Sequence, residues 1–141
     1  MKFSKLIVDR YAEKIDLDFS KIQETAILKS ILSRRSIRKF LNKPISKELL
    51  TLLLAASQSA PSKSNLQQYS ILVIQDQNIK NEISDLIGNT KWALTAPIFL
   101  LYLADIRRNI KITNDRGYDH KNNNVDTFIN SVIDAALAMQ S

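Results

Sequence analysis

The sequence predicts a single α+β domain that spans residues 1–141. Apolar residues recur at helical spacing along most of the chain, and two continuous apolar runs, Tyr69–Ile74 and Pro97–Leu103, are typical of buried strands. A chain of 141 residues that is 45% hydrophobic is long enough to bury one core, and no internal repeat or linker divides it. Because a two-stranded sheet is only marginally stable, further strands are expected elsewhere.

The sequence pattern of the amino-terminal half predicts three helices. Residues 5–15 carry apolar side chains at near-helical spacing, and Asp18 or Ser20 is a candidate N-cap for a second helix. The apolar residues of this second helix are Ile22, Ala26, Ile27 and Ile31. Ser46 is the predicted N-cap of a third helix, whose wide apolar face predicts a core position. That face consists of Leu49, Leu50, Leu52, Leu53 and Ala56.

The carboxyl-terminal half predicts two further helices and an irregular segment. A helix from about Asn78 to Ile87 is expected to stop at Gly88, because glycine readily adopts the left-handed conformation of helix ends. Residues 107–124 are polar and lack periodicity, which predicts an exposed excursion. The chain ends at Ser141 without a helix-ending signal, so it is expected to be cut inside its last helix. The apolar face of this helix is Val125, Phe128, Ile129, Val132, Ile133, Ala136 and Met139.

Composition narrows the classes of function. The net charge of +6 suits an anionic partner, but the cationic residues are dispersed without interleaved aromatic residues, which argues against nucleic acid. Without cysteine, and with His120 as its one histidine, the chain offers neither thiol catalysis nor a histidine-rich metal site. No apolar run reaches the roughly 20 residues of a membrane span, and the first residues lack the apolar core of a signal peptide. These features predict a cytoplasmic protein that needs a borrowed cofactor for difficult chemistry.

A basic segment follows the second predicted helix. Arg34, Arg35 and Arg38 lie within about one helical turn, so in a helix or tight turn their guanidinium groups would converge on one anion, with Ser36 adding a hydroxyl. This arrangement predicts a phosphate site. An exposed cationic helix end that complements the helix dipole explains the same residues equally well.

A polar loop precedes the first predicted strand. Pro61 restricts its backbone, and four side chains in the loop offer hydroxyl or amide groups that donate and accept hydrogen bonds. These side chains are Ser62, Ser64, Asn65 and Gln67. They suit a ligand with alternating carbonyls and ring nitrogens, such as an isoalloxazine, whereas taken alone an ordinary surface loop is the simpler interpretation.

The order and spacing of these segments resemble those of the nitroreductase family. The resemblance rests on the Arg-Ser-Ile-Arg-Lys-Phe segment at 35–40, Pro44-Ile45-Ser46 at a helix start, and Ala60-Pro61-Ser62 with Asn65-x-Gln67 before a strand. A later match, 96–105 followed by an arginine, is similar to the branch of NADPH-dependent flavin reductases and major oxygen-insensitive nitroreductases. The resemblance extends from about Ser20 to the last residue.

This resemblance implies a nitroreductase-like fold, with helices around a mixed or antiparallel central sheet, that is incomplete at the carboxyl terminus. It implies a homodimer with FMN at the interface and hydride transfer from NADPH or NADH through flavin N5. The acceptor would be a small molecule, namely a nitroaromatic, a quinone or a flavin, reduced in a ping-pong cycle. No catalytic side chain is assigned, because the flavin carries the chemistry. The alternative is a truncated relative that acts as a binding or vestigial module with weak or no FMN binding.

By the same resemblance, the predicted cofactor-binding residues fall in three places. Arg34, Arg35, Ser36 and Arg38 match positions that bind the phosphate and the pyrimidine side of FMN, and Arg38 is the candidate to stabilise the reduced flavin. Pro61, Ser62, Ser64, Asn65 and Gln67 match the loop that lines the flavin, commonly from the partner subunit. Thr90 and Trp92 match positions near the cofactor more weakly than the other two groups do, and Trp92 is equally well explained as a core residue that packs against the strand after Pro97.

Two departures from the family pattern are visible. Arg34 stands where the closer branch usually has a histidine, and further phosphate ligands and strands would follow Ser141. Outside the matched segments, Arg107-Arg108 would attract a 2′-phosphate or be part of a basic loop, with the second interpretation favoured. His120 is interpreted as a solvated loop histidine rather than a ligand or base.

Overall fold

The computed structural model describes residues 2–13, 16–88 and 90–141, and its contacts divide the chain into two compact units, Met1–Arg38 and Lys39–Ser141. The amino-terminal unit contains α1 (Phe3–Tyr11) and α2 (Ala26–Ser33). The elements of the second unit, in chain order, are α3 (Lys47–Gln58), a 3₁₀ turn (Lys63–Asn65), β1 (Tyr69–Ile74), α4 (Gln77–Leu86), α5 (Lys91–Leu94), β2 (Phe99–Ala104), α6 (Arg107–Asp115) and α7 (Val125–Gln140).

In the amino-terminal unit, α1 packs against α2 and buries Phe3 and Leu6. The first helix is shorter than predicted, and Ile15, its expected last apolar residue, lies outside the described residues. The predicted N-cap of the second helix is wrong, because Thr25 caps it by accepting from the Leu28 amide at 3.3 Å.

Asp18 and Ser20, the two residues predicted to cap α2, form a turn with each other instead. The Asp18 carboxylate accepts from the Ser20 backbone amide at 2.8 Å and from the Ser20 hydroxyl at 2.9 Å. These two hydrogen bonds lower the pKa of Asp18 below its ordinary value. Ile22 therefore precedes the helix rather than belonging to it.

In the second unit, the two predicted strands pair antiparallel, in a register that runs from Tyr69 opposite Ala104 to Ile74 opposite Phe99. One face of this sheet packs against α7 through Tyr69, Ala135 and Ala138. The α+β class and the position of both strands are therefore confirmed. The prediction of fully buried strands is wrong, because Leu72 is 46% exposed and β2 is only half-buried.

Two helices of this unit leave most of their predicted apolar faces exposed. Helix α3 starts at the predicted cap, where Ser46 Oγ accepts from the Leu49 amide at 3.2 Å. Its predicted core face is largely exposed, because Leu52 is 67% exposed and only Leu50 is half-buried. The predicted apolar face of α7 is likewise exposed. The residues that α7 buries are Thr127, Ser131, Asp134, Ala135 and Ala138.

The helix between the strands matches its prediction to within one residue at each end. Asp76 caps α4 by accepting from the Asn78 and Ile79 amides at 2.8 and 3.1 Å, and Gly88 follows its end at φ +84°. Inside the fold, the buried Lys80 ammonium donates to the carbonyl oxygens of Ala96 and Pro97, which anchors α4 beside the start of β2.

The segment predicted as an exposed excursion contains a helix, α6, so that prediction is wrong for residues 107–115. Asp105 stabilises the start of α6 by accepting from the Arg107 amide at 3.0 Å. The inward-facing positions Ile106, Ile110 and Thr113 are only half-buried, so the helix lacks a continuous apolar stripe. In the described part of the chain, no helix combines the length and apolar character that a membrane crossing requires.

Candidate functional site

The polar loop before β1 has an unusual backbone. Lys63–Asn65 form a 3₁₀ turn, and Ser64, Asn65 and Gln67 have φ values of +53°, +54° and +48°. For residues other than glycine, this left-handed conformation costs about 1 kcal/mol or more each, since Cβ approaches the following carbonyl oxygen. Surrounding contacts must therefore hold residues 62–67 in place.

On one side, the loop is held by Asp134 of α7. Its carboxylate is 2% exposed and accepts from the Ser62 hydroxyl at 2.9 Å, the Gln68 amide at 3.1 Å and the Lys63 amide at 3.4 Å. Ser62 Oγ in turn accepts from the Gln67 amide at 2.7 Å, which closes the loop on itself. The two ends of the loop thus meet at one buried carboxylate.

On the other side, the loop is held by α6, through its carbonyl oxygens. The Arg108 guanidinium donates to the Gln67 carbonyl oxygen, and Asn109 Nδ2 donates to the Leu66 carbonyl oxygen at 2.9 Å. The helix predicted as irregular chain is therefore a direct support of the candidate site.

Arg107 and Asp105 fix the start of α6. Arg107 Nε lies 3.0 Å from one Asp105 carboxylate oxygen, and Ser70 Oγ donates to the other at 2.7 Å. Hydrogen bonds from Arg107 and Ser70 hold the pKa of Asp105 far below its ordinary value. With Arg108 bonded to the loop, both arginines of this pair have partners within the fold, which supports the basic-loop interpretation over the 2′-phosphate one.

The predicted flavin-lining residues divide into two groups. Ser64 and Asn65 are exposed, and half-buried Gln67 donates from Nε2 to Asn65 Oδ1 at 3.3 Å, so their side chains form a polar surface on the loop. Pro61 is exposed beside them. Ser62 differs from them, because its hydroxyl donates to Asp134 and accepts from the Gln67 amide. Both hydrogen bonds lie within the fold.

The basic segment, defined as residues 34–38, lies in the amino-terminal unit and is exposed. It is neither helical nor a turn, so the predicted convergence of guanidinium groups within a helical turn is not present. Arg35 donates to the carbonyl oxygens of Leu32 and Arg34 at 3.2 and 2.9 Å, and Arg10 reaches the Arg34 carbonyl at 3.0 Å. These contacts support the helix-end interpretation for Arg35.

Arg34 and Arg38 differ from Arg35. Among the described residues, neither guanidinium makes a hydrogen bond or an ion pair within the fold, and Ser36 is exposed between them. Their charges are therefore exposed to solvent in the amino-terminal unit. They remain the candidates for binding an anion.

The remaining singled-out residues have identifiable structural contacts. Thr90 Oγ1 donates to the Ile87 carbonyl oxygen at 3.1 Å, and Trp92, 38% exposed, packs at a tilt against Phe40 with ring centroids 6.3 Å apart. His120 is half-buried rather than fully solvated, and its Nε2 lies 3.1 Å from the Asn122 carbonyl oxygen, to which it donates. These contacts account for the positions of all three side chains without a ligand.

Sequence reasoning missed Asp134 and Asn109, and it named Arg108 only as one of a basic pair, without its contact to the loop. A signal for Asp134 was present, because Thr127, Ser131 and Asp134 recur at the spacing of one helix face opposite the apolar residues of α7. An acidic residue in such a polar stripe indicates a hydrogen-bonded contact with the segment that packs on that face of the helix. For Arg108 and Asn109 no comparable signal exists, since their partners are backbone carbonyls.

The family model described as "Nitroreductase family" matches residues 31–141, and the chain belongs to that family. Among relatives in Bacillus subtilis (strain 168), an FMN reductase [NAD(P)H] is 36% identical over 116 residues, which cover 80% of this chain and 46% of that protein. An FMN reductase (NADPH) of the same organism is 33% identical and is matched over 81% of this chain and 47% of its own length. The chain thus spans about half the length of these curated relatives.

A similar solved structure is that of NfrA2 from B. megaterium, with a TM-score of 0.79 and 28% sequence identity. The match covers 83% of this chain and 48% of that one. The predicted family resemblance and nitroreductase-like fold are therefore confirmed, while the assignment of individual cofactor-binding residues stays a prediction.

Proposed function

We propose that this chain is part of an FMN-dependent oxidoreductase that takes hydride from NAD(P)H and reduces a small-molecule acceptor. The observation that carries the proposal is the loop 62–67, whose strained backbone is fixed by Asp134 and α6 while Ser64 and Asn65 stay exposed and Gln67 half-buried. Strained, over-determined loops of this kind occur at ligand sites. The names of the two B. subtilis relatives, both FMN reductases, support the same cofactor.

The chemistry of the exposed groups fits FMN. Ser64, Asn65 and Gln67 supply hydroxyl and amide groups that match the alternating donors and acceptors of a flavin edge. Arg34, Arg38 and Ser36 supply two guanidinium groups and a hydroxyl, which suit a phosphate or the pyrimidine side of the flavin. The remaining proposed contacts are Arg35, Pro61, Ser62 and Thr90.

When bound, FMN supplies the redox chemistry at its N5 atom, in a ping-pong cycle with nitroaromatic, quinone or flavin acceptors. The chain's own residues position the cofactor and set its electrostatic surroundings. Arg38 is proposed to stabilise the negative charge of the reduced flavin. We further propose a cytoplasmic homodimer with FMN at its interface, supported by the exposed apolar face of α7, where Phe128 is 66% exposed.

The direct test is titration of the purified chain with FMN and with riboflavin, followed by flavin fluorescence and visible absorption. We expect FMN to bind more tightly than riboflavin, because only FMN carries a phosphate for the arginines. Addition of NADPH or NADH should then bleach the flavin, and an acceptor should restore its colour. Absence of both flavin binding and NAD(P)H oxidation would contradict the proposal, and sedimentation with and without FMN tests the dimer.

A second candidate is a binding or vestigial module that holds FMN weakly or not at all. It is favoured by the internal use of two predicted ligands, since Arg35 bonds to the end of α2 and Ser62 bonds to Asp134. This candidate predicts a folded chain that stays colourless after FMN addition. A yellow protein that retains FMN through gel filtration would exclude it.

A further inference from the structure

Asp134 is a buried carboxylate whose partners, among the described residues, are hydrogen-bond donors of loop 62–67 and of Gln68, which directly follows it. It is 2% exposed and accepts from Ser62, Lys63 and Gln68, with no cation within ion-pair distance in the described part of the chain. Burying a carboxylate carries a desolvation penalty, which charge-assisted hydrogen bonds only partly offset. A small apolar residue would pack α7 on the sheet at a lower cost, as Ala135 and Ala138 do on the same face.

The loop that Asp134 holds would not keep its shape by itself. Three of its residues are in the left-handed region without being glycine, and such strain persists only where the surroundings determine the conformation. Asp134 accepts from the start of the loop at Ser62 and Lys63 and from its end at Gln68. It therefore acts on the part of the backbone that carries the strain.

We infer that Asp134 is a positioning residue, which fixes loop 62–67 in the conformation that presents Ser64, Asn65 and Gln67 to the flavin. This inference rests on the proposed FMN function. Asp134 itself faces the backbone and does not touch the ligand-facing side of these residues. Its effect on the cofactor passes through Ser62 and the amides of Lys63 and Gln68.

The variant that tests the inference is Asp134→Asn in the full chain. An asparagine has the same shape, but its amide group must point a donor at one of the loop's own N–H donors, because backbone amides cannot reverse. The matched control is Asp126→Asn. Asp126 lies on the same helix and contacts the same loop, through Lys63 Nζ at 2.9 Å, but this ion pair is exposed.

The first measurement is amide hydrogen exchange without flavin. In Asp134→Asn, the amides of Lys63, Gln67 and Gln68 should lose about tenfold more protection than the amides of β1, which report any change in overall stability. In Asp126→Asn, loop and strand should stay as in the parent chain. Equal losses in loop and strand would reduce Asp134 to a general packing role and overturn the inference.

The second measurement is FMN binding. We expect Asp134→Asn to raise the FMN dissociation constant about tenfold and to change the visible circular dichroism of the bound flavin at saturation, while Asp126→Asn changes neither. If the loop loosens but affinity and spectrum are unchanged, the positioning role is wrong although the FMN site stands. If the parent chain binds no FMN, the proposed function fails and the positioning role fails with it, while the exchange data still report what holds the loop.

If Asp134→Asn does not fold, Ser62→Ala replaces it in the exchange measurement. It removes the acceptor of the Gln67 amide and one donor to Asp134 but leaves the buried carboxylate two backbone donors. Faster exchange at Gln67 and Gln68 than in the strand supports the inference. Unchanged exchange at both amides overturns it.

Discussion

Loop 62–67 and the basic segment 34–38 come from the same family pattern, yet the fold treats them differently. The loop is bound on both sides by Asp134 and by α6, with a backbone it could not keep alone. The basic segment is exposed. Of its three arginines, Arg35 donates a hydrogen bond to the Leu32 carbonyl oxygen at the end of α2, the helix that precedes the segment. The loop loses little conformational entropy when a ligand binds to it, because its backbone is already fixed, whereas the side chains of Arg34 and Arg38 must be ordered on binding. The loop therefore offers hydrogen-bonding groups in fixed positions, whereas the basic segment offers positive charge on side chains that are not fixed.

The largest expected effect comes from removing the support of the loop. Asp134→Ala leaves three donors without their acceptor and should lower the free energy of unfolding by about 2 kcal/mol. Asp126→Ala, on the same helix, removes only an exposed ion pair and should cost about 0.5 kcal/mol or less. Urea unfolding followed by circular dichroism measures both. Similar losses in the two variants would remove the contrast between the loop and an ordinary surface contact.

Acid should weaken the other support of the loop. The folded pKa of Asp105 lies far below the unfolded value of about 3.9, because Arg107 and Ser70 bond to its charged form. Its contribution to stability is therefore complete above about pH 4 and is lost as the pH falls through the folded pKa. Unfolding free energies measured over this range should fall less steeply in Asp105→Asn. An unchanged slope would show that Asp105 does not anchor α6.

Substitutions in the basic segment should change the affinity for FMN rather than the free energy of unfolding. Arg38→Ala should weaken FMN binding about tenfold while changing riboflavin binding less, and it should lower the midpoint potential of the bound flavin, because a cation that favours the reduced form is lost. Arg35→Ala should have a smaller effect on FMN, since its guanidinium bonds to Leu32 and Arg34. Arg116→Ala, another exposed arginine, serves as the control. A larger loss for Arg35→Ala than for Arg38→Ala would reverse the assignment.

The smallest effect tests the backbone strain. Ser64→Gly removes the left-handed penalty at φ +53° and should leave stability unchanged or raise it by about 0.5 kcal/mol, because the relief is partly cancelled by the entropy of glycine in the unfolded chain. Ser30→Gly, inside helix α2, should instead destabilise by about 0.5 kcal/mol. In thermal unfolding, the midpoint of Ser64→Gly should lie at or above that of the parent chain, and the midpoint of Ser30→Gly below it. A clear loss of stability in Ser64→Gly would show that the loop is not strained there.

Much of the fold could be predicted because its signals are local. The Ser46 cap, the bounds of β1, and helix α4 ending before Gly88 depend on residues within a few positions of each other. The cap of α2 was misplaced because Asp18, Ser20 and Thr25 are all competent caps and only the packed unit selects one of them. Helix α6 was missed because its start is stabilised by Asp105 and its helical pattern has few apolar residues.

By itself, the sequence determined the α+β class, both strands, most of the helices, and the polar groups that suit a flavin, since propensity, capping and spacing are properties of neighbouring residues. Only the tertiary structure decided which of those groups form hydrogen bonds within the fold and which are exposed to solvent. Asp134 lies 72 residues beyond Ser62 in the chain and Arg108 lies 41 beyond Gln67, so no local pattern links them. The buried carboxylate that shapes the loop, the arginine that supports it, and the exposed apolar faces of α3 and α7 are consequences of packing.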